Sequence, residues 1–241
     1  MRLFIELAIA TASYAAAFEV SSVKVINHKT GATKVETTPG SLSMRNIGLG
    51  AMVMWAYKIS PLQISNAGVL GSDFYEISAK AAGAATTDEM RVMMQALLAE
   101  RFKMVSHRES RPMSAYALVQ TKNGHKLRLS EAGDGDGVRP MTGTKLGLTG
   151  HSATLDQLAF FLSAPLGTPV IDKTGLAGRY DFELDLTNYR TGGPGSGDPP
   201  ADPVAVMQSS LSSQLGLRLE ARRMAVEMLV IDHIELKPLE N

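Results

Sequence analysis

The chain has 241 residues, of which 44% are hydrophobic, enough to bury the core of one large domain or two small ones. Its 24 basic and 24 acidic residues give a formal net charge of zero. This balance argues against a nucleic-acid-binding protein and a polybasic membrane-surface protein, because both need an excess of positive charge. The chain has no cysteine, so disulfides, thiolate nucleophiles and cysteine-bound metals are excluded.

The first 17 residues have the features of an export signal. Arg2 precedes an apolar run, and Ala15 and Ala17 form an A-x-A cleavage site before Phe18. The alternative is a short apolar segment that belongs to the fold. We predict a signal peptide over residues 1–17 and a periplasmic or secreted mature protein. No membrane span is expected after signal removal, because no later segment approaches about 18 to 20 apolar residues.

Glycine-rich stretches divide the mature chain into two halves of similar pattern. We predict a first α+β repeat over residues 18–128, a Gly/Asp-rich linker over 129–144 and a second α+β repeat over 145–241. The second repeat includes a mobile loop at residues 188–201. The first repeat carries an extra N-terminal strand at residues 18–25 that the repeat pattern does not explain.

In the first half, strand-like alternation and helical spacing follow one another in the order β-α-β-β-α-β-β. Thr86 and Glu89 form a capping box that opens the second helix. The predicted elements are a strand at 41–46, a helix from 49 to 56, strands at 62–64 and 75–77, the capped helix, and a hairpin of 102–107 with 115–120 around Arg111-Pro112.

The second half repeats this order, and some residues match as well. Tyr75-Glu76-Ile77 corresponds to Tyr180-Asp181-Phe182 at a spacing of 105 residues. The final hairpin is expected from 217–221 and 226–232. The fold class is therefore α+β, with two tandem β-α-β-β-α-β-β repeats, each a small, mainly antiparallel sheet covered by two helices. Coincidence between two generic patterns is the alternative, and whether the repeats form one sheet or two lobes stays open.

Segments across nearly the whole mature chain resemble a soil-associated protein family of unknown function. They are Phe18–Lys24, Tyr75–Ala81, Leu97–Lys103, His107–Glu109, Pro169–Leu176, Gly178–Phe182, Leu229–His233 and Glu240–Asn241. The resemblance implies a family expanded in soil bacteria whose members typically carry export signals. In some members, a similar domain follows a membrane-embedded metallopeptidase of the antibiotic-sensor type. The resemblance therefore implies an extracytoplasmic sensing or binding role, and it supplies no catalytic residues.

One segment departs from the family pattern. Residues 66–70 read Asn-Ala-Gly-Val-Leu, where the family usually has Gly-Gly-Pro-x-Trp. If that segment forms a shared ligand surface, the ligand of this chain differs. A topological likeness also links each half to the short N-terminal domain of secretins and TonB-dependent receptors, which works through protein contacts.

Two motifs resemble catalytic sequences. Asp172-Lys173-Thr174-Gly175 is similar to the phosphorylation motif of P-type pumps, but those proteins are large and membrane-embedded, and a turn after a strand explains the residues. Ser21-Ser22-Val23-Lys24 mimics a serine β-lactamase motif, but it lies in a predicted strand, where Ser21 and Lys24 face opposite ways. We therefore predict no catalytic residues.

Metal and cofactor sites are likewise not predicted. The five histidines include no pair at helical i, i+4 spacing. His107 and Glu109 share one strand face and could supply two metal ligands, yet a site needs a third and a fourth from elsewhere. The alternative is an exposed polar face of an edge hairpin.

Eight residues are candidate binding residues. Two acids, Glu76 and Asp181, recur at equivalent places, and one interpretation places them symmetrically across an inter-lobe cleft as a pair for acid–base chemistry. The alternative is that they belong to the solvated face of a half-buried strand. The binding candidates are Tyr75, Glu76, His107, Asp172, Lys173, Thr174, Tyr180 and Asp181.

Three functions compete. The first is a non-enzymatic binding, sensing or interaction module of the cell envelope, whose partner is a small ligand or an envelope protein. The second is a periplasmic or secreted hydrolase in which Asp172, Asp181, His107 or His233 converge in one cleft. The third is a structural assembly domain that offers sheet edges to its neighbours.

Overall fold

A computed structural model of the protein describes residues 17–26, 31–131, 137–142, 145–187 and 202–239. The signal peptide predicted for residues 1–17 lies outside the described residues except for Ala17, and the loop predicted for 188–201 lies wholly outside them. The chain forms two compact units. The first contains the described residues of 1–58, Ala67–Val105 and those of 231–241, and the second contains Ile59–Asn66 and the described residues of 106–230.

The described residues confirm the α+β class, with four α-helices and three four-stranded sheets. The strands are β1 Val20–Ile26, β2 Lys34–Thr38, β3 Ser41–Gly48, β4 Ile64–Ser65, β5 Phe74–Lys80, β6 Val105–Gln120, β7 Arg128–Leu129, β8 Gly137–Pro140, β9 Gly147–Ala153, β10 Val170–Asp172, β11 Tyr180–Asp185 and β12 Leu217–His233. The helices are α1 Leu49–Tyr57, α2 Thr87–Arg101, α3 Leu155–Leu166 and α4 Pro203–Ser210. No helix of the described residues is long and apolar enough to span a membrane.

The first unit contains an antiparallel sheet in the order β1-β5-β3-β2. Burial alternates along β5, where Tyr75, Ile77 and Ala79 are buried while Glu76 and Ser78 are exposed. This period of two is typical of a strand with one face on the core. The predicted capping box of α2 is present, and α2 packs against α1.

The second unit contains an antiparallel sheet in the order β7-β11-β9-β8. Helix α3 packs on it and on β10, and its Thr154–Gln157 capping box closes the first turn. The core beneath α3 joins Leu158 and Leu162 to Leu184 and Leu217. The segment 129–144, which the sequence predicts as a linker, includes β8 and the last residue of β7.

A third sheet, in the order β10-β6-β12-β4, replaces the two predicted hairpins. Each hairpin prediction is wrong, because β6 and β12 are single continuous strands of 16 and 17 residues that pair with each other. The predicted strand at 62–64 is a 3₁₀ turn at Pro61–Gln63 followed by β4. Strands from both halves of the sequence therefore meet in one sheet.

The position of Pro112 explains why the turn prediction failed. Proline is tolerated in a strand where no partner needs its N–H. The N–H of Tyr116 donates to Pro169 O at the β10 edge of β6, and residues two apart in a strand direct their backbone groups to the same edge. The backbone nitrogen of Pro112, which carries no hydrogen, therefore faces that edge too. No hydrogen bond to β10 is lost there, because β10 pairs only with Tyr116 to Leu118.

The sheets of the two units share strand order, pairing register and an irregularity. In the first, Met44 pairs with Ile77 and then Ile47 with Tyr75, and in the second Gly150 pairs with Phe182 and then Ala153 with Tyr180. In both sheets one strand advances by three residues while its partner advances by two. The extra strand β1 also has a counterpart, because β7 pairs with β11 as β1 pairs with β5. These correspondences support the duplication, which remains our interpretation.

Two glycines of the second unit, Gly167 and Gly216, have left-handed conformations after helical turns. Replacing each by alanine tests how closely the neighbouring backbone approaches it. Gly167 has φ +59° and open space where a Cβ would lie, whereas a Cβ on Gly216, at φ +65°, would lie 2.4 Å from Gly124 O. We expect Gly167→Ala to lower the free energy of unfolding by about 1 kcal/mol, the usual cost of a left-handed alanine. Gly216→Ala should cost at least about twice as much, because the backbone of a second segment must also move.

Urea unfolding of both variants measures this difference. Equal losses of unfolding free energy would show that the turn at Gly216 does not hold the 124–125 segment as close as the structure places it.

Candidate functional site

Three charged side chains meet on the exposed face of the second unit's antiparallel sheet. The Asp181 carboxylate lies 3.2 Å from Nη2 of Arg128 and 3.2 Å from Nδ1 of His151. The two bases are 82% and 60% exposed, whereas the Asp181 side chain is 18% exposed. We call Arg128, His151 and Asp181 the second-sheet triplet. It places an acid that is 18% exposed between a guanidinium and an imidazole that solvent and ligands can reach.

A backbone irregularity holds the acid in place. Ser152 follows His151 in β9 and has φ +48°, a left-handed conformation that a non-glycine residue adopts at an energetic cost. Its N–H donates to Oδ1 of Asp181 at 2.8 Å, and its carbonyl accepts from Arg179 at 3.1 Å. The bond from Ser152 lowers the pKa of Asp181 below its usual value, and Arg128 and His151 act in the same direction. Asp181 is therefore an ionised hydrogen-bond acceptor at neutral pH.

The first unit carries charges at the equivalent places. Lys24 lies directly opposite Glu76, as Arg128 lies opposite Asp181. Arg45 precedes Asn46, which has φ +50° in the same position of the irregularity as Ser152. We call Lys24, Arg45 and Glu76 the first-sheet triplet. Arg45 and Glu76 line a groove of about 310 Å³ together with Ser43 and Ser78.

The tyrosines beside these acids lie on the opposite face of each strand. Tyr75 is fully buried, packs edge-on against Phe102 at 5.2 Å between ring centres, and donates from its hydroxyl to Leu236 O at 2.7 Å. Burial raises the pKa of Tyr75 to about 12. Tyr180 is 5% exposed and donates to Ala177 O at 3.0 Å. Both rings belong to the cores of their units, and only the acids face solvent.

The Asp172-Lys173-Thr174 segment forms a hydrogen-bonded turn at the end of β10. Oδ1 of Asp172 accepts from Thr174 N at 2.8 Å, and the Thr174 hydroxyl accepts from Leu176 N at 3.2 Å. Gly175 in this turn has φ +70°. Such side-chain-to-backbone bonds are typical of Asx and Ser/Thr turns. This geometry accounts for the residue types that resemble the pump motif.

His107 lies exposed on β6, and its neighbour Glu109 is already engaged. Both carboxylate oxygens of Glu109 accept from Arg111, at 2.8 and 3.0 Å, and Nη1 of Arg111 also donates to Ser65. The hydrogen bond from Arg111 is the largest of the effects that lower the pKa of Glu109. Glu109 is thus the acceptor of a bidentate ion pair.

The acids proposed for a hydrolytic cleft lie in different sheets of the second unit. Asp172 ends β10, which pairs with β6, and Asp181 lies in β11, which pairs with β9. Among the described residues, no three His, Asp or Glu side chains are grouped so that they could hold a metal ion. Of the eight sequence candidates, the structure thus places Asp181 in contact with Arg128 and His151, and it places Glu76 opposite Lys24 and on one groove with Arg45.

The sequence candidates do not include the four basic residues of the triplets, Lys24, Arg45, Arg128 and His151. Arg128 lies in a two-residue strand, too short to show alternation, and Lys24 lies in a strand that the repeat pattern left unexplained. Arg45 and His151 each precede a left-handed residue, which no periodicity reveals. The repeat spacing of 105 residues does not align them either, because Arg45 and His151 are 106 residues apart and Lys24 and Arg128 are 104 apart.

Comparison with known proteins gives one match. A family model described as a protein of unknown function, DUF3738, matches residues 50–234. No curated protein and no solved structure matches the chain.

The depressed pKa of Asp181 predicts how stability responds to acid. A carboxylate whose pKa is lower in the folded chain stabilises it fully above the unfolded pKa of about 3.9, and this contribution is lost as the pH falls through the folded value. Asp181→Asn should therefore have a lower free energy of unfolding than the natural chain at pH 7. This difference in unfolding free energy, the gap, should narrow below about pH 4. Chemical denaturation between about pH 2.5 and pH 7 measures the gap.

Glu183→Gln is the matched control, since Glu183 lies on the same strand and pairs with Lys145 at 3.2 Å, where both side chains are more than half exposed. An exposed pair of this kind contributes little to stability. A gap for Asp181→Asn that stays constant down to the lowest pH would contradict the role given to the Ser152 hydrogen bond.

Proposed function

Since the chain belongs to this family of proteins of unknown function, we propose that it is a non-enzymatic, extracytoplasmic binding module of the cell envelope. Its contact sites are the first-sheet and second-sheet triplets. The proposal rests on the recurrence of one arrangement in both sheets. In each, an acid lies opposite a lysine or arginine, and a second basic residue beside it precedes a left-handed residue. A conformation that costs energy and recurs at both sites is more readily explained by a surface role than by packing.

The chemistry of the triplets favours binding over acid–base catalysis. A general acid or base works best with a pKa near the working pH, whereas the pKa of Asp181 is moved further below it. The same fixed carboxylate is suited to accept hydrogen bonds from a cationic or amide group, while Arg128 can bind an anionic one. The partner is therefore a molecule that carries both charges, such as a peptide-bearing wall fragment or the surface of an envelope protein.

The sequence supports the location that this role requires. Residues 1–17 have the apolar run and small-residue site of an export signal. The resemblance to the soil-associated family, in which a similar domain can follow an antibiotic-sensor-type metallopeptidase, supports sensing at the envelope. A periplasmic or secreted chain meets wall fragments and envelope proteins directly.

The assembly-domain alternative rests on one exposed edge. All five residues of β2 are exposed, and β2 is the last strand of its sheet. An unpaired edge can add a strand from another chain, but Lys34 and Glu36 place charges on this one, which is a common protection against such pairing. The edge therefore favours the binding module over the assembly domain.

A thermal-shift screen of the chain from Phe18 onward tests the binding role. The probes are muropeptides, short zwitterionic peptides, neutral sugars, β-lactams and divalent metals. We expect muropeptides or zwitterionic peptides to raise the melting temperature, because a ligand that binds only the folded state stabilises it. Replacing both acids, in the variant Glu76→Gln/Asp181→Asn, should abolish the shift, and the control Glu183→Gln should keep it. A shift that survives in the double variant would place the site elsewhere.

Fractionation of cells that express the full chain tests the location. The protein should be recovered from the periplasm or the medium, shortened to begin at Phe18, as N-terminal sequencing would show. A chain that lacks residues 2–17 should stay in the cytoplasm. Full-length protein retained in the cytoplasm would refute export, and with it the envelope role.

A further inference from the structure

A second groove lies in the second unit, and no residue of either triplet lines it. Its volume is about 330 Å³, near the lower end of the range for small-molecule sites. It is lined by Ser114, Ala115, Tyr116, Thr168, Ala221, Arg222 and Arg223. These residues include two arginines, three hydroxyl groups and no acid.

The groove exists because two strands are uncovered at one point. Most of β12 alternates between buried and partly exposed residues, but Ala221, Arg222 and Arg223 are all exposed. Tyr116 of β6 pairs with Val170, the first residue of β10. Two residues earlier in both segments, Ser114 therefore lies opposite Thr168, which precedes β10. Ser114 therefore has no strand partner on that edge, and Thr168 forms the facing wall.

Strand alternation shows which side chains share the groove. Leu219 of β12 and Tyr116 of β6 both pack on the core beneath α3. Residues two apart in a strand lie on the same face, so Ala221 and Arg223 share that face with Leu219, and Ser114 shares it with Tyr116. Arg222 lies on the opposite face, where it pairs with Glu220. Of the two arginines that line the groove, Arg223 is thus the one on the Leu219 face.

The polar groups of the groove are unengaged. Across the part of the chain that the structure describes, the hydroxyls of Ser114, Tyr116 and Thr168 and the guanidinium of Arg223 have no hydrogen-bond or ion-pair partner within the protein. A guanidinium with nearby hydroxyl donors is suited to a planar or tetrahedral oxyanion. The Tyr116 ring and the small Ala221 side chain leave room for an apolar group beside it.

We propose that this groove binds a small organic anion. The anionic group, a carboxylate or a phosphate monoester, is held by Arg223 and the hydroxyls of Ser114 and Thr168, and the apolar part of the ligand lies on Tyr116. This site is independent of the triplets and goes beyond the binding role proposed for them.

Titration of the full chain at low ionic strength, followed by NMR or calorimetry, tests the proposal. The probes are benzoate and phenyl phosphate, with benzamide as the neutral analogue of benzoate. We expect saturable binding of at least one anion below about 20 mM, and none of benzamide. Arg223→Gln should weaken anion binding at least about tenfold, because it removes a charge-assisted hydrogen bond.

Arg218→Gln is the matched control, since it removes the same charge from the same strand at a residue that does not line the groove. Its affinity should stay within about twofold of the natural chain, because the charge it removes is exposed and screened. Tighter binding of benzoate identifies a carboxylate ligand, and tighter binding of phenyl phosphate identifies a phosphate ligand. No saturable binding of either anion, equal binding of benzamide, or equal losses in the two arginine variants would overturn the proposal.

Discussion

One left-handed residue in an inner strand of each antiparallel sheet, Asn46 or Ser152, determines which side chains face the sheet surface. A strand exchanges its two faces whenever its register slips by one residue, so an irregularity re-aims every side chain beyond it. At Asn46 and Ser152 the strand advances one residue more than its partner. The advance keeps Ile47 and Ala153 on the core side and leaves Arg45 and His151 exposed. In the second sheet it also frees the Ser152 N–H to bind Asp181.

The third sheet depends on a different constraint, the pairing of two long strands from opposite halves of the sequence. Strands β6 and β12 lie side by side, and each carries a short parallel strand on its other edge. Each half supplies one long strand and one short one. Sequence separation makes such a pairing costly to form, because the loop entropy must be lost before the contacts are gained. On β12 the stretch Ala221–Arg223 is exposed and lines the groove of about 330 Å³.

The elements that local pattern specifies were predicted well. Alternation along Tyr75–Ile77 and the capping box at Thr86 correspond to β5 and α2. The predictions failed where the outcome depends on distant partners. Pro112 indicates a turn in isolation, and only the absence of β10 at that edge makes it compatible with a strand.

The candidate site was predicted in part for the same reason. The repeat indicates Glu76, which is exposed, and Asp181, whose side chain is 18% exposed, but it also selects Tyr75 and Tyr180, which are core residues. The sequence of an aromatic residue next to an acidic one is the same whether the aromatic ring faces a ligand or the core. The cations that complete the triplets come from neighbouring strands, and no spacing within one strand predicts them.

The central claim is that the two triplets are separate, equivalent binding sites, and the stoichiometry of binding tests it most directly. With a zwitterionic peptide or muropeptide as the probe, calorimetry should give two equivalents per chain for the natural protein. It should give one equivalent for Glu76→Gln and one for Asp181→Asn. A single equivalent that neither substitution removes would contradict the account.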